Sequence, residues 1–267
     1  MFINLVIAVN QHITYDEHLP LLLGPTAYAK VQSPDEAIIF GVSEALGFEP
    51  VELDDPSVRN EFAVAGYRWG HANLKDEFDL SDRDLNFKRD VKTVTTFFNP
   101  ETIYTHGPGQ CLRGAMTKST GANSGVFWDT FQHHLFRPKD KKDGTTGSDL
   151  LSFNLGRGRE HGIGSYMTVR RFCMNHPLFQ DLYGPESERS EIPKNTSMQT
   201  NWDNVLGLYQ TIEDVDLYVG LLYENPSNGA LFGPTNQCIN TEQFIALKKG
   251  DKFFYTKPNV FDGGTVI

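Results

Sequence analysis

Long apolar runs are absent from this sequence of 267 residues. No run approaches the roughly 18 to 20 consecutive apolar residues that a membrane-spanning helix needs, so we expect no such helix. The apolar stretch at residues 1–9 has no basic segment and no small-residue cleavage site, which argues against a signal peptide. We interpret this stretch as the start of an internal helix.

Positive charge is also scarce. The chain has 24 lysine and arginine residues against 34 aspartate and glutamate residues, which gives a formal net charge of −10 at pH 7. Because binding to phosphate groups requires a basic surface, this balance argues against a nucleic-acid partner. The GRGR segment at residues 156–159 could superficially suggest contact with RNA, but the overall charge disfavours that interpretation.

Internal repeats and convincing runs of alternating strand residues are missing as well. The apolar content of 39% and the aromatic content of 12% suffice for one substantial core at this length. We therefore predict one domain that is mainly α-helical, with short strands at most.

The clearest helix signal begins at Asp55, a good N-cap that is followed by Pro56 in the first turn. Arg68 and His71, three residues apart, are expected on one stripe of this helix and can point at the same flat ligand. Apolar residues at spacings of three and four predict its buried face, namely Val58, Phe62, Ala65, Trp69 and Ala72. Further helices are predicted at residues 202–211 and 214–223, and exposed loops at residues 138–148 and 183–198.

Two segments carry the candidate site: YRWGH at residues 67–71 and NLGRGREHG at residues 154–162. A single axial histidine needs an acceptor for its second ring nitrogen, and the side-chain amide of Asn154 could supply one to His71. The guanidinium groups of Arg68 and Arg157 suit the two carboxylates of a haem. Together the segments read as the proximal half of a haem site.

These segments resemble the animal haem peroxidase family, of the myeloperoxidase and peroxinectin type. In that family a YRWGH-like phrase carries the proximal histidine, and an LNxxRGRDHG-like phrase carries its asparagine partner. Further phrases of the family stand in the same order along nearly the whole chain: QHITY at residues 11–15 with LP at 19–20, LGP at 23–25, FFNP at 97–100, LRG at 112–114, RRFC at 170–173 and GDKFF at 250–254.

The resemblance implies a helical haem-peroxidase-like fold, incomplete here, with residues 1–267 forming one partial domain. It implies haem b as cofactor, His71 as the axial ligand of its iron, and Arg68, Asn154 and Arg157 as cofactor-binding residues. Hydrogen peroxide and a reducing donor would be the substrates, and the protein would be secreted. The resemblance also implies a disulfide bond between Cys173 and Cys238, which would leave Cys111 without a disulfide partner.

The family's distal motif, a Gln followed by Asp-His-Asp, is expected upstream of the QHITY phrase and is not found in this sequence. The distal arginine, the carboxylates that esterify the haem and the calcium-binding loop are not found either. By resemblance the chain is the carboxyl-terminal half of a peroxidase domain, without a catalytic residue of its own. We expect its partner to be the missing amino-terminal half, and its activity alone to be weak or absent.

Other interpretations remain open at this level. His71 could be an ordinary helical histidine, Asn154 a helix cap, and the two arginines members of surface ion pairs. The whole chain could be a non-catalytic extracellular adhesion module that retains the fold.

A zinc site at His133 and His134, or at His12 and His18, is disfavoured because neither pair has acidic or thiol companions at ligand spacing. Arg159, Glu160 and His161 are expected to be structural. A glycosylation sequon at Asn195 is usable only in a secreted chain.

Overall fold

The computed structural model describes residues 2–32, 55–121, 125–137, 146–184 and 199–257. Helices predominate, as the sequence predicts. The chain forms two compact units. The first unit comprises Met1–Tyr67 and Gly158–Ile267, and the second unit comprises Arg68–Arg157. The prediction of one partial domain over residues 1–267 stays a prediction.

The first unit begins with three consecutive helical segments: α1 (Phe2–His12), a π-helical turn (Ile13–His18) and α2 (Leu19–Gln32). Helix α2 is kinked at Gly24, whose φ of 65° lies in the left-handed region that glycine tolerates best. A Cβ atom at Gly24 would lie 2.9 Å from Cβ of Ala230, so the backbone also packs closely here.

The helix predicted from Asp55 is wrong at its start and in its continuity. Helix α3 spans only Asn60–Val64, and a 3₁₀ helix follows at Gly66–Asn73. The Asp55 carboxylate does accept a hydrogen bond from Ser57 N, but Arg59 N donates to Oε1 of Gln243 at 2.7 Å. This tertiary bond takes the amide that would otherwise close the first helical turn, so residues 55–59 stay non-helical.

The 3₁₀ helix and helix α3 nevertheless bury most of the predicted apolar face. Phe62, Ala65, Trp69 and Ala72 are buried, whereas Val58 is 57% exposed because it precedes the helix. The apolar spacing therefore predicted most of the buried residues correctly, although the backbone between them is not one continuous α-helix.

The second unit contains an antiparallel hairpin that the sequence analysis missed. Strands β1 (Glu77–Ser81) and β2 (Phe87–Lys92) pair with Phe78 opposite Val91. Strand β2 is almost wholly exposed, so it lacks the alternation that reveals a half-buried strand. The turn is held by Asp82, whose carboxylate accepts hydrogen bonds from the amides of Asp84 and Asn86.

Short helices complete the second unit around the hairpin. They are α4 (Glu101–His106), α5 (Pro108–Thr117), α6 (Asp129–His133) and α7 (Leu150–Glu160), which continues past the unit's boundary, with a 3₁₀ turn at Thr93–Thr95. Helix α5 packs on β1. Of the loop predicted at residues 138–148, residues 138–145 lie outside the described residues.

The rest of the first unit is helical and surrounds one long buried helix. Its elements are α8 (Tyr166–Asn175), a 3₁₀ turn (Gln180–Tyr183), α9 (Gln199–Leu206), a second 3₁₀ turn (Ile212–Asp214), α10 (Leu217–Tyr223) and α11 (Pro234–Gly250). The helices predicted at 202–211 and 214–223 correspond to α9 and α10 with shifted ends. Residues 185–198, including most of the second predicted loop and the sequon at Asn195, lie outside the described residues.

Helix α11 is buried from Thr235 to Ala246 although many of its residues are polar. Hydrogen bonds offset part of the cost of burying them. Gln237, for example, donates to the carbonyl of Leu23 and accepts from the hydroxyl of Ser227. These bonds connect α11 to segments far away in sequence, which makes it the centre of the first unit's core.

Candidate haem-binding site

The 3₁₀ helix at Gly66–Asn73 carries two of the predicted site residues. Side chains at positions i and i+3 are eclipsed in a 3₁₀ helix, because it has three residues per turn. Arg68 and His71 are therefore held on the same side of the backbone, as their spacing predicts. Both side chains are only partly accessible to solvent.

Asn154 lies on helix α7 and is fully buried. Its Oδ1 atom is 3.2 Å from Nδ1 of His71 and accepts a longer hydrogen bond, of 3.4 Å, from Nη1 of Arg68. A guanidinium group can only donate, so the oxygen and not the amide nitrogen of Asn154 faces these two residues. The structure thus brings together three of the four predicted residues, Arg68, His71 and Asn154, across 86 residues of sequence.

The oxygen of Asn154 also determines which nitrogen of His71 holds the proton. An acceptor at Nδ1 requires the proton there, which leaves the lone pair on Nε2. Among the described residues, Nε2 of His71 has no hydrogen-bond partner. Burial lowers the pKa of His71, the hydrogen bond to Asn154 opposes that change, and the positive charge of Arg68 lowers the pKa further. A neutral imidazole with a free Nε2 is the form that binds metal ions.

Arg157 stands three residues after Asn154 on α7 and is exposed. Arg157 therefore lies at an exposed position of the helix that carries the buried Asn154.

The neighbouring charged residues of the second segment have structural partners within the first unit. Arg159 forms a two-pronged ion pair with Asp216, with N–O distances of 2.9 and 2.7 Å. His161 Nδ1 lies 3.2 Å from the side-chain oxygen of Asn60. Both contacts agree with the structural role expected for these residues.

Possible zinc sites receive no support from the described residues, which contain no group of three or more His, Cys, Asp or Glu residues suited to a metal ion. His134 contacts Asp129 at 3.2 Å. The expectation that these histidines lack acidic companions is wrong for His134 and also for His12, whose Nδ1 atom lies 3.1 Å from Oδ2 of Asp16 on the π-helical turn. The two residues are four apart, the spacing at which side chains meet on one face of a helix, so the sequence could have indicated this pair.

The disulfide bond between Cys173 and Cys238 is confirmed, and Cys111 is a free cysteine.

Beside the disulfide lies a buried network that the sequence analysis missed. Glu224 accepts hydrogen bonds from Tyr166 and Arg170 at 3.0 and 2.7 Å, and burial is the main cause of its raised pKa. The RRFC phrase contains Arg170, but nothing in the sequence indicates its partner 54 residues away.

No helix of the described ranges is both long and apolar enough to cross a membrane.

Comparison with solved structures supports the fold. Peroxidase A from Dictyostelium discoideum aligns with 96% of the chain at 25% identity and a TM-score of 0.69, and the alignment covers 44% of that protein. A fatty acid α-dioxygenase from Arabidopsis thaliana aligns with 92% of the chain at a TM-score of 0.60, covering 41% of its own chain. At 18% identity, this second likeness concerns the fold alone.

Sequence comparisons agree with the structural ones. A peroxidase from Drosophila melanogaster is 33% identical over 263 residues, which are 97% of this chain and 35% of the relative. A peroxidasin homologue from Caenorhabditis briggsae is 30% identical over 260 residues, 95% of this chain and 18% of the relative. The chain thus spans about a third or less of these curated relatives. The family model described as animal haem peroxidase matches residues 4–265, so the chain belongs to that family.

Proposed function

We propose that this chain is the proximal, haem-binding part of a peroxidase that uses hydrogen peroxide as oxidant and a reducing donor as second substrate. The observation that carries the proposal is the pair formed by His71 and the buried Asn154 at 3.2 Å in a chain of the animal haem peroxidase family. His71 would bind the iron of haem b through Nε2.

The residues present fit this cofactor. His71 offers an uncommitted Nε2, and Asn154 orients its ring through the other nitrogen. Arg68 is held beside the imidazole by its own bond to Asn154, and Arg157 stands on the turn that follows. Two guanidinium groups match the two propionates of haem in number and charge. When bound, haem would supply the iron at which peroxide is reduced and donors are oxidised.

On the proximal side, the protein's own residues would bind the haem and adjust how strongly the His71 imidazole donates electrons to its iron. Asn154 accepts a hydrogen bond from the Nδ1–H group of His71 and so makes the imidazole a stronger electron donor. The lowered pKa of His71 keeps Nε2 unprotonated near neutral pH. Arg68 holds positive charge next to the ring, where a carboxylate of the cofactor would compensate it.

In the family, a distal histidine takes the proton from peroxide. The motif that carries this histidine is not found in this sequence. A positioned acid or base typically contributes a 10²- to 10⁴-fold rate effect. We therefore expect turnover by the chain alone to be slower than that of a complete domain by about this factor. The partner that restores it would be the amino-terminal half of the domain, which also carries the family's calcium site.

Secretion is part of the proposal and is supported by the disulfide between Cys173 and Cys238. Such bonds persist mainly in oxidising compartments. Their presence agrees with an extracellular peroxidase and equally with an extracellular adhesion module, so haem binding must distinguish the two functions.

Titration of the purified chain with haem tests the proposal. We expect saturable binding with a Soret band, and we expect His71→Ala to weaken binding by at least about 10-fold, because loss of even a hydrogen-bond partner of a metal ligand typically has an effect of this size. His161→Ala is the matched control, because the ring of His161 is paired with the side chain of Asn60 and not with Asn154. A correctly folded chain that stays colourless, or equal effects of both variants, would exclude His71 as ligand and favour the adhesion module.

A further inference from the structure

The first unit contains a groove of about 710 Å³ beside α1, with Ile7, Tyr15, Phe244, Leu247, Phe253 and Phe254 among its lining residues. We call it the α1 groove. The haem proposal does not use it, since none of its lining residues belongs to the candidate site. Its volume lies within the range of about 300 to 1,000 Å³ that is typical of small-molecule sites.

The floor of the α1 groove is a rigid aromatic cluster. Tyr15 meets Phe244 and Phe254 edge to face, with ring centroids 5.6 and 4.8 Å apart. All three side chains are buried, and the Tyr15 hydroxyl donates to the carbonyl oxygen of Phe244 at 3.0 Å. The floor is therefore preformed and has no free hydroxyl group to offer.

The walls of the α1 groove leave apolar surface in contact with water. Ile7 is 50% exposed and Phe253 is 76% exposed. Exposed apolar surface that is concentrated around a concave site indicates binding more strongly than scattered exposed residues do. A ligand with an apolar chain would cover both side chains.

The side-chain oxygens of Gln11 and Asp251 at the rim each accept one hydrogen bond from within the chain. Gln11 donates to Oδ2 of Asp251 at 2.7 Å and accepts from Tyr255 N, while Oδ1 of Asp251 accepts from Phe253 N. Both carboxylate oxygens of Asp251 thereby help to hold neighbouring segments of the chain in place.

The uncommitted polar groups at the rim are donors. Lys252 is exposed, and its ammonium group has no partner among the described residues. Asn10 accepts a bond from Thr14 at 3.4 Å, which leaves its amide NH₂ group available. A cationic and a neutral donor at the mouth of an apolar groove complement a negatively charged head group.

We propose that the α1 groove binds a single-chain amphiphile with an anionic head group, whose head meets Lys252 and Asn10 and whose chain lies over the aromatic floor. The inference is independent of haem, and its test therefore uses the chain without cofactor and without an activity assay.

Calorimetric titration with octanoate, decanoate and 1-decanol tests the proposal at concentrations below micelle formation. Each buried methylene group contributes about 0.8 kcal/mol, which corresponds to about four-fold in affinity. Decanoate should therefore bind tighter than octanoate by about four-fold for each of its two additional methylene groups. Lys252→Gln should weaken decanoate binding by about two- to five-fold and leave 1-decanol unchanged, because an exposed ion pair contributes little.

Lys249→Gln is the matched control, since it removes the same charge three residues earlier, in the last turn of α11, where Lys249 does not line the groove. It should leave decanoate binding unchanged. Ile7→Trp, at a half-exposed position, should block both decanoate and 1-decanol while the circular dichroism spectrum stays the same. No saturable binding of decanoate, equal effects of the two lysine substitutions, or binding to vesicles of anionic phospholipid without binding to decanoate would overturn the proposal.

Discussion

Asn154 determines the tautomer of His71, and its substitution gives the most direct prediction at the scale of single residues. In the haem-loaded chain, Asn154→Ala should raise the reduction potential of the iron, because the imidazole becomes a weaker donor. The expected shift is on the order of 50 mV, since a hydrogen bond contributes about 1 kcal/mol and a ten-fold change corresponds to about 59 mV. Asn154→Asp should shift the potential the opposite way.

Spectroelectrochemical titration measures both shifts. Asn60→Ala serves as control, because Asn60 makes the corresponding contact with His161. A potential that stays the same in both variants of Asn154 would remove this residue from the immediate surroundings of the iron ligand.

Gly220 gives a second prediction for a single residue. A Cβ atom there would overlap the ring of Tyr166, which is fully buried and hydrogen-bonded to Glu224. Gly220→Ala should therefore lower the free energy of unfolding by about 2 to 3 kcal/mol, measured by urea denaturation.

The control for Gly220→Ala is Gly156→Ala on helix α7. No atom lies within 4 Å of a Cβ built at Gly156. Alanine is the better helix former, so this change should be neutral or stabilising by up to about 1 kcal/mol. Equal destabilisation by both substitutions would show that the contact with Tyr166 is not the cause.

Among the elements, the disulfide joins helices α8 and α11 across 65 residues of sequence. The double change Cys173→Ser and Cys238→Ser should destabilise the chain by about 2 to 4 kcal/mol, because the unfolded chain gains freedom. The midpoint of thermal unfolding should fall accordingly, and reductant should lower the midpoint of the wild-type protein but not that of the variant. Cys111→Ser, which removes the free cysteine, should have a much smaller effect. An unchanged midpoint in the double variant would contradict the prediction.

Element boundaries show where sequence patterns stop being informative. The burial of Phe62, Trp69 and Ala72 follows from their spacing, but the break between α3 and the 3₁₀ helix does not. The first turn of the predicted helix does not form, because the backbone amide of Arg59 donates a hydrogen bond to Gln243, 184 residues away. Local propensity could not predict this bond, because its partner is supplied by the central helix.

For the whole molecule, charge predicts how association depends on pH. The chain carries a net charge of −10 at pH 7 and has an isoelectric point near 5.2. It also exposes large apolar side chains on α1, including Leu5, Val6 and Val9. Self-association should therefore increase as the pH falls from 7 towards 5.2, because the repulsion between molecules disappears.

Static light scattering across this pH range measures the effect. Added salt screens charges, so it should increase association at pH 7 more than near the isoelectric point. Scattering that does not change with pH would show that charge repulsion does not control association.

The sequence by itself determined the helical class, the pairing of Arg68 with His71 on one stripe and, through the family phrases, the candidate haem ligand and the disulfide. These features depend on local spacing or on motifs that can be read directly. Tertiary structure alone decided that Oδ1 of Asn154 also reaches Arg68, that Glu224 meets Arg170 in the core, and that the α1 groove exists. The reason is physical: each of these arrangements joins side chains far apart in the chain, and only the packing of the helices brings them within contact distance.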